Sequence, residues 1–239
     1  LVLVILVLAR PQTTNKWQNS EIEGIDIMLA IDVSTSMLAE DLKPNRLEAA
    51  KDVAAEFING RPNDNIGITL FAGETFTQCP LTVDHAVLLD MIHNIKCGLI
   101  TDGTAVGMGI ANAVTRLKDS KAKSKVIILL TDGTNNKGDI SPMTAAEIAK
   151  SFGIRVYTIG VGTNGMAPYP YPVGNTVQYV SMPVEIDEKT LTEIAGTTDG
   201  NYFRATSNSK LKEVYEEIDK LEKTKLNVKE YSKRDEEYH

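Results

Sequence analysis

The chain has 239 residues, and 25 Lys or Arg against 32 Asp or Glu give it a formal net charge of −7. With 42% hydrophobic and 24% charged residues, its composition is that of a globular domain and excludes a disordered, collagen-like or coiled-coil chain. The length suits a single α/β domain. Because the chain is acidic and lacks a basic run, we do not expect it to bind nucleic acid.

The first nine residues, LVLVILVLA, are apolar and uncharged, and Arg10 and Pro11 follow them. Nine residues are too few to cross a bilayer, which takes about 20. No basic segment precedes them, as one would in a signal peptide. We expect residues 1–12 to be the truncated end of a transmembrane helix, and a buried edge strand is the alternative.

Strand and helix patterns alternate along the middle of the chain. Short runs rich in β-branched residues, typical of buried parallel strands, lie at 25–31, 66–71, 126–130 and 156–161. Apolar residues spaced three to four apart predict amphipathic helices at 47–58, 87–95, 106–117, 145–152, 188–195 and 211–221. This order predicts a doubly wound α/β fold, with a mostly parallel central sheet and helices on both faces. Ligands of such folds bind at the C-terminal ends of the strands.

One segment interrupts the alternation. Residues 162–185 are rich in Gly and Pro and then alternate apolar and polar side chains, which predicts a β-hairpin inserted after the strand at 156–161. Its Met166, Tyr169 and Tyr171 either form an exposed patch for a partner or pack within the hairpin. Residues 223–239 are dense in charge and are expected to be a solvated linker.

The two cysteines are too few for a disulfide scaffold. Cys79 and Cys97 have neither the spacing of a zinc site nor that of a redox CxxC pair. We expect a structural role for both. They are either free thiols or, in an oxidising compartment, a disulfide bridge.

Side chains with oxygen atoms follow two of the predicted strands and precede one predicted helix. The first strand ends in DVSTS, which contains Asp32, Ser34 and Ser36, while Thr104 lies in DGTAVG and Asp132 in LLTDG. Hydroxyl and carboxylate oxygens at one edge of the sheet suit Mg²⁺, which prefers octahedral oxygen coordination. Mn²⁺ and Ca²⁺ also accept such ligands. Because Ser and Thr are neutral, the ion would still attract one carboxylate from outside the chain.

Each of these residues has another explanation when taken alone. Asp and Ser after a strand often cap the next helix, and Thr-Asp-Gly is a turn signal. The joint pattern favours the metal site. Asp102 is a further candidate ligand or acceptor beside the ligands, with a turn role as the alternative. No Cys or carboxylate is arranged around His85 and His93 to form a metal site with them. Glu74 and Phe76 are expected in a loop after the strand at 66–71, and only the predicted topology places them near the site.

From residue 23 to residue 222 the sequence resembles von Willebrand factor type A domains that carry a metal-ion-dependent adhesion site (MIDAS). The DxSxS motif of that family matches Asp32, Ser34 and Ser36, its threonine matches Thr104, and its second aspartate matches Asp132. The resemblance implies a Rossmann-like fold in which all five residues hold a metal ion directly or through water.

Within that family, the stretches at 8–12, 71–82 and 183–195 are similar to the membrane-anchored bacterial Bat proteins, which are linked to aerotolerance. This similarity implies a transmembrane segment at the start of the chain and another after residue 239. It also implies that the domain is anchored in the inner membrane and faces the periplasm.

The sequence therefore predicts a metal-dependent protein-binding module whose ion is completed by an acidic residue of a partner. The alternatives are a metal-independent scaffold of a membrane complex and a metal-dependent hydrolase such as a phosphatase. The sequence disfavours catalysis, since serines occupy the positions next to Asp32 where a second acid or base is needed, and no GxxxxGK[ST] loop is present. The resemblance implies other von Willebrand type A proteins, tetratricopeptide proteins and a MoxR-type AAA+ ATPase as partners.

Overall fold

A computed structural model describes residues 24–163, 165–174 and 176–236. A short 3₁₀ helix, Thr35–Leu38, follows the first strand. The strands and α-helices are, in chain order, β1 (Asp26–Asp32), α1 (Arg46–Asn59), β2 (Asn65–Phe71), β3 (Thr75–Thr82), α2 (His85–His93), α3 (Val106–Leu117), β4 (Lys125–Thr131), α4 (Pro142–Ser151), β5 (Ile154–Val161), β6 (Met166–Val173), β7 (Thr176–Pro183), α5 (Glu188–Thr197), β8 (Tyr202–Ala205) and α6 (Asn208–Glu236).

The central sheet has six strands in the order β3-β2-β1-β4-β5-β8. Strand β1 pairs in parallel with both β2 and β4, and all seven of its residues are buried, which explains its nearly continuous apolar sequence. Only β3, at one edge, runs antiparallel to its neighbour. The predicted mostly parallel, doubly wound sheet is therefore confirmed.

The sheet separates two apolar cores. One core packs α1, α2 and α6 against one face, and the other packs α3, α4 and α5 against the opposite face. Side chains cap the N-termini of four of these helices, and the capping residues are Asn45, Asp84, Ser141 and Asp187. The predicted placement of helices on both faces is confirmed.

Two strands of this sheet were not expected from the sequence. Phe76 was expected to lie in a loop after the strand at 66–71, and this was wrong. It belongs to β3, which pairs with β2. Only Cys79 of this strand is fully buried, and a half-exposed edge strand leaves little hydrophobic signal. Strand β8 has only four residues and pairs with the end of β5.

The predicted hairpin is present and forms a second, two-stranded sheet from β6 and β7. It leaves the central sheet directly after β5, at Gly162, where the backbone has a φ of +139°. A side chain at that position would lie 2.8 Å from the guanidinium of Arg46, so the glycine lets the hairpin begin beside α1.

A buried ion pair attaches α6 to the N-terminal end of β5. The Glu222 carboxylate, 1% exposed, is paired with Arg155 of β5. It also accepts hydrogen bonds from Tyr157 at 2.6 Å and from Ser124 at 2.8 Å. Burial raises the pKa of Glu222, but these partners outweigh it and lower the pKa below its ordinary value. Glu222 therefore remains charged and holds α6 in place.

The chain ends were expected to be a truncated transmembrane helix and a linker. Residues 1–12 lie outside the described residues. Helix α6 continues through residues 223–236 of the expected linker. No helix in the described part of the chain combines the length and the apolar character that crossing a membrane needs. Cys79 and Cys97 are free thiols.

Candidate metal centre

Asp32 is the last residue of β1, at the C-terminal edge of the central sheet, and is fully buried. Its Oδ1 accepts a hydrogen bond from the backbone N–H of Ser34 at 2.9 Å, and its Oδ2 accepts one from the Thr131 hydroxyl at 2.6 Å. These bonds fix the carboxylate between the ends of β1 and β4. Two lone-pair sites remain on its oxygens for another ligand.

The two serines lie where the chain enters the 3₁₀ helix after β1. The Ser34 and Ser36 hydroxyl oxygens are 2.9 Å apart. The Ser36 hydroxyl also donates to Oδ1 of Asp132 at 2.7 Å, which connects the loop after β1 to the loop after β4. Hydrogen bonds thus connect four of the five predicted residues, which are Asp32, Ser34, Ser36 and Asp132.

Thr104 reaches the same edge from the loop before α3. Its backbone N–H donates to Oδ1 of Asn136 at 2.9 Å, and its carbonyl accepts from the Asn136 N–H at 3.0 Å. A Cβ added to Gly133 would lie 3.3 Å from the Thr104 hydroxyl oxygen. That hydroxyl therefore lies beside the residue that follows Asp132, and the glycine leaves space next to it.

Asp102 does not join this set and instead holds the serine loop. Its two carboxylate oxygens accept hydrogen bonds from the Thr35 N–H at 3.0 Å and the Thr35 hydroxyl at 2.8 Å. Partial burial raises the pKa of Asp102, but the bonds from Thr35 outweigh it and lower the pKa below its ordinary value. Asp102 is thus an acceptor for Thr35, which lies between the two serines.

The two buried carboxylates repel each other. Burial, and then the nearby charge of Asp132, raise the pKa of Asp32 from its ordinary 3.8 to about 7. Burial also raises the pKa of Asp132, although Arg46 opposes the shift. A divalent cation between the two groups would offset the cost of burying both charges.

Arg46 is a part of the site that the sequence analysis missed. Its guanidinium, with a side chain 4% exposed, donates to Oδ2 of Asp132 at 2.7 Å and forms two further 2.7 Å bonds to Asp41. The N–H of Thr163 also donates to Asp41, at 2.8 Å. Burial raises the pKa of Asp41, but Arg46 and Thr163 outweigh it and bring the pKa to about 2.

A signal for Arg46 was present in the sequence. It lies four residues before Ala50 and seven before Val53, both of which are on the buried face of α1. A charged residue on the apolar face of a helix is rarely buried without a partner. That position indicates that Arg46 has a partner of opposite charge inside the fold, but it does not identify the partner.

The donor set of this site fits a hard divalent cation. It contains two carboxylates and three neutral hydroxyls, those of Asp32, Asp132, Ser34, Ser36 and Thr104, and Mg²⁺ and similar ions take such oxygen ligands. The carboxylate of Asp132 forms an ion pair with Arg46. Three of the five donors are uncharged hydroxyls, and such neutral donors would leave a bound ion able to attract a further anionic ligand.

The hairpin lies beside these residues. A cleft of about 280 Å³ has Thr35 and Ser36 on one side and Tyr169, Tyr171 and Met182 of the hairpin on the other. Met166, Tyr171 and Met182 are each about half exposed. Of the three residues named for the predicted patch, Met166 and Tyr171 are exposed, whereas Tyr169 is partly buried and lines the cleft.

Comparisons with known proteins place the chain in a family. Residues 26–217 match the model of the von Willebrand factor type A domain. The chain belongs to the von Willebrand factor type A family. Two solved bacterial structures are similar to this von Willebrand type A chain at 34% identity. The conserved hypothetical protein BatB from Bacteroides thetaiotaomicron has a TM-score of 0.73, and the match covers 84% of this chain and 100% of that one.

The second is an aerotolerance-related membrane protein from Bacteroides fragilis, with a TM-score of 0.71 and coverage of 82% of this chain and 100% of that one. A more distant relative is proximal thread matrix protein 1 from the mussel byssus, in a structure described as having a zinc-occupied MIDAS motif. It is 25% identical with a TM-score of 0.65, and the match covers 83% of this chain and 45% of that chain. The chain is thus a type A domain related to Bat-type aerotolerance proteins.

Proposed function

We propose that this domain is a protein-binding module in which a divalent cation is held by five residues and binds a carboxylate of a partner. The five residues are Asp32, Ser34, Ser36, Thr104 and Asp132. The observation that carries this proposal is that residues of separate loops meet at one edge of the sheet. The Ser36 hydroxyl bonds both Asp132 and the Ser34 hydroxyl, and the Ser34 N–H donates to Asp32.

The charges around the site support a partner with an acidic side chain. Arg46 shares its single positive charge between Asp132 and Asp41, so it does not cancel the charge of Asp132 alone. The hydroxyl ligands add no charge. A cation in such a site remains electron-poor and attracts a carboxylate.

We propose Mg²⁺ as the ion, with Mn²⁺ and Ca²⁺ as competitors that accept the same oxygen donors. The zinc-occupied MIDAS of the mussel protein supports a divalent cation at the corresponding place of the fold. The cleft beside Ser36 gives a partner's side chain access to the site.

The similarity to an aerotolerance-related membrane protein supports a place in a membrane complex. We propose that the domain is anchored in the inner membrane and faces the periplasm. Other von Willebrand type A proteins, tetratricopeptide proteins and a MoxR-type AAA+ ATPase are the proposed partners.

The geometry gives no support to hydrolysis. Asp32, the residue that would act as nucleophile, is fully buried and both of its oxygens accept hydrogen bonds. Arg46 is held between two carboxylates and is not directed at a substrate. We infer that the site binds and does not catalyse.

Calorimetric titration of Mg²⁺ into the chelator-treated chain tests this proposal. Thr104→Ala is expected to abolish binding, because it removes one ligand, while circular dichroism stays unchanged. Thr115→Ala is the matched control, since that hydroxyl bonds only to a carbonyl of its own helix, Ala111 O at 2.9 Å, and Thr115→Ala should bind as the wild type does. Equal binding by Thr104→Ala and wild type, or no binding at millimolar Mg²⁺, would refute the proposal.

A metal-independent scaffold makes a different prediction. Once a partner is identified, chelation should abolish its binding to the wild type without unfolding the domain if the ion forms part of the contact. Binding that survives chelation would support the scaffold instead.

A further inference from the structure

The hairpin differs in charge and exposure from the rest of the domain. All eight residues of β7 are exposed. The segment 166–183, which contains both strands, has no Asp, Glu, Lys, Arg or His, although 24% of the chain is Asp, Glu, Lys or Arg. An exposed strand without charges is unusual, since charged residues normally keep such strands from pairing with other chains.

The register shows which backbone groups point away from the hairpin. A tight turn joins Val173 to its partner Thr176, and the turn places these two residues in a hydrogen-bonded pair. Because hydrogen-bonded pairs alternate with non-bonded pairs in an antiparallel ladder, Pro168, Pro170 and Pro172 fall on the non-bonded positions. The outer edge of β6 is therefore occupied by prolines, which have no N–H to donate.

The outer edge of β6 also lies against the body of the domain. The carbonyl oxygen of Pro168 accepts a hydrogen bond from the backbone N–H of Glu40, just after the 3₁₀ helix, at 2.8 Å. This bond confirms that the Pro168 carbonyl points outward from the ladder. The outer edge of β6 therefore lacks N–H donors at its prolines and is covered by the loop at Glu40, so it is not available to another strand.

The outer edge of β7 is open. By the same register, the N–H and C=O groups of Val177, Tyr179 and Ser181 point away from β6. Within the described residues, none of these three has a backbone hydrogen bond outside the hairpin. Proline appears in β7 only at its last residue, Pro183. An edge of this length, about 27 Å for eight residues, is a template for another strand.

We propose that β7 pairs antiparallel with β7 of a second copy of this chain, giving a two-fold symmetric dimer with a four-stranded sheet. A symmetric interface brings each residue close to its own copies, and an uncharged strand makes this contact without repulsion between like charges. Because each hairpin has one open edge, a single pairing uses it and the assembly closes as a dimer.

Pairing along the edge uses backbone groups and covers neither face of the hairpin. The side chains that line the cleft, Tyr169, Tyr171 and Met182, lie on one face, so the cleft beside Ser36 remains accessible in the dimer. The dimer is therefore independent of the metal and of the proposed function.

The test is the mass of the full chain in solution, measured by sedimentation equilibrium at about 100 μM, well above the dissociation constant of a micromolar dimer. The wild type is expected to show twice the mass of the 26.1 kDa chain, with and without chelator. Ser181→Pro removes an outward N–H and is expected to give a monomer. Ser181→Ala keeps that N–H, and this matched control should stay a dimer.

Val177→Pro provides a second variant of the same kind, at another outward position. The prolines of β6 show that this hairpin accepts proline at outward positions. Circular dichroism and Mg²⁺ titration check that each variant remains folded. A monomeric wild type, or a dimer that persists in the folded proline variants, would overturn the proposal, and neither result bears on the metal site.

Discussion

Removing the charge of Asp32 should make the metal-free domain more stable. In the absence of an ion this carboxylate is fully buried near Asp132, and its pKa rises from 3.8 to about 7. The variant Asp32→Asn has nearly the same shape and no charge. Its amide oxygen can accept the Ser34 N–H and its amide nitrogen can donate to the Thr131 hydroxyl, so both hydrogen bonds of the wild type have a replacement.

The size of the effect follows from the linkage between protonation and folding. A carboxyl whose pKa is about 3 higher in the folded chain than in the unfolded chain costs about 4 kcal/mol once it is ionised, at about 1.4 kcal/mol per pH unit. The raised pKa means that stability is greatest below pH 3.8 and is lost as the pH rises to about 7. We expect Asp32→Asn to gain about 1–4 kcal/mol at pH 8 and about half as much at pH 5.

Urea unfolding with a chelator, at pH 8 and at pH 5, measures both values. The control is Asp102→Asn, which should destabilise the domain because hydrogen bonds from Thr35 lower the pKa of Asp102. If Asp32 is a ligand as proposed, adding Mg²⁺ should stabilise the wild type and leave Asp32→Asn unchanged. An Asp32→Asn variant that is less stable than wild type at pH 8 would show that the reasoning about repulsion is wrong.

Three further substitutions test other parts of the structure by urea unfolding. Arg46→Met should lose about 3–5 kcal/mol, because it leaves Asp132 and Asp41 buried without a positively charged partner; a loss below about 1 kcal/mol would contradict the buried pair. Glu222→Gln should lose about 2–3 kcal/mol, since it weakens charged hydrogen bonds to Arg155; no loss would mean that α6 is held by apolar contacts alone. Gly196→Ala should gain about 0.5–1 kcal/mol, because α5 has open space at that position, and destabilisation there would mean that the space is filled.

The sequence predicted the central strands and the helices because a single physical pattern dominates each of them. Strand β1 is buried over its whole length, so its apolar run is unbroken. Helix α3 has one apolar face that packs in the core. Edge strands β3 and β8 are short or half exposed, and their pairing with a neighbour is decided by contacts distant in the sequence.

The candidate site was predictable in part for a similar reason. Asp32 and Asp132 follow two buried strands that are neighbours in the sheet, and parallel strands bring their C-terminal ends together. Arg46 and Asp41 follow no such rule. Their contacts with the site depend on how α1 packs against the sheet and on where the hairpin begins, and spacing along the chain does not reveal either.

The ion pairs of Arg46 with Asp132 and Asp41, which the sequence did not reveal, connect the candidate metal site to the hairpin. A continuous set of hydrogen bonds runs from Asp132 through Arg46 and Asp41 to the backbone of Thr163, three residues before β6. All three side chains are almost completely buried, at 4% exposure or less. An ion held by Asp132 would weaken the bond of that carboxylate to Arg46 and would strengthen the bond from Arg46 to Asp41, because one guanidinium serves both carboxylates. The Arg46 guanidinium therefore pairs with Asp132 at the candidate metal site and with Asp41 at the base of the hairpin.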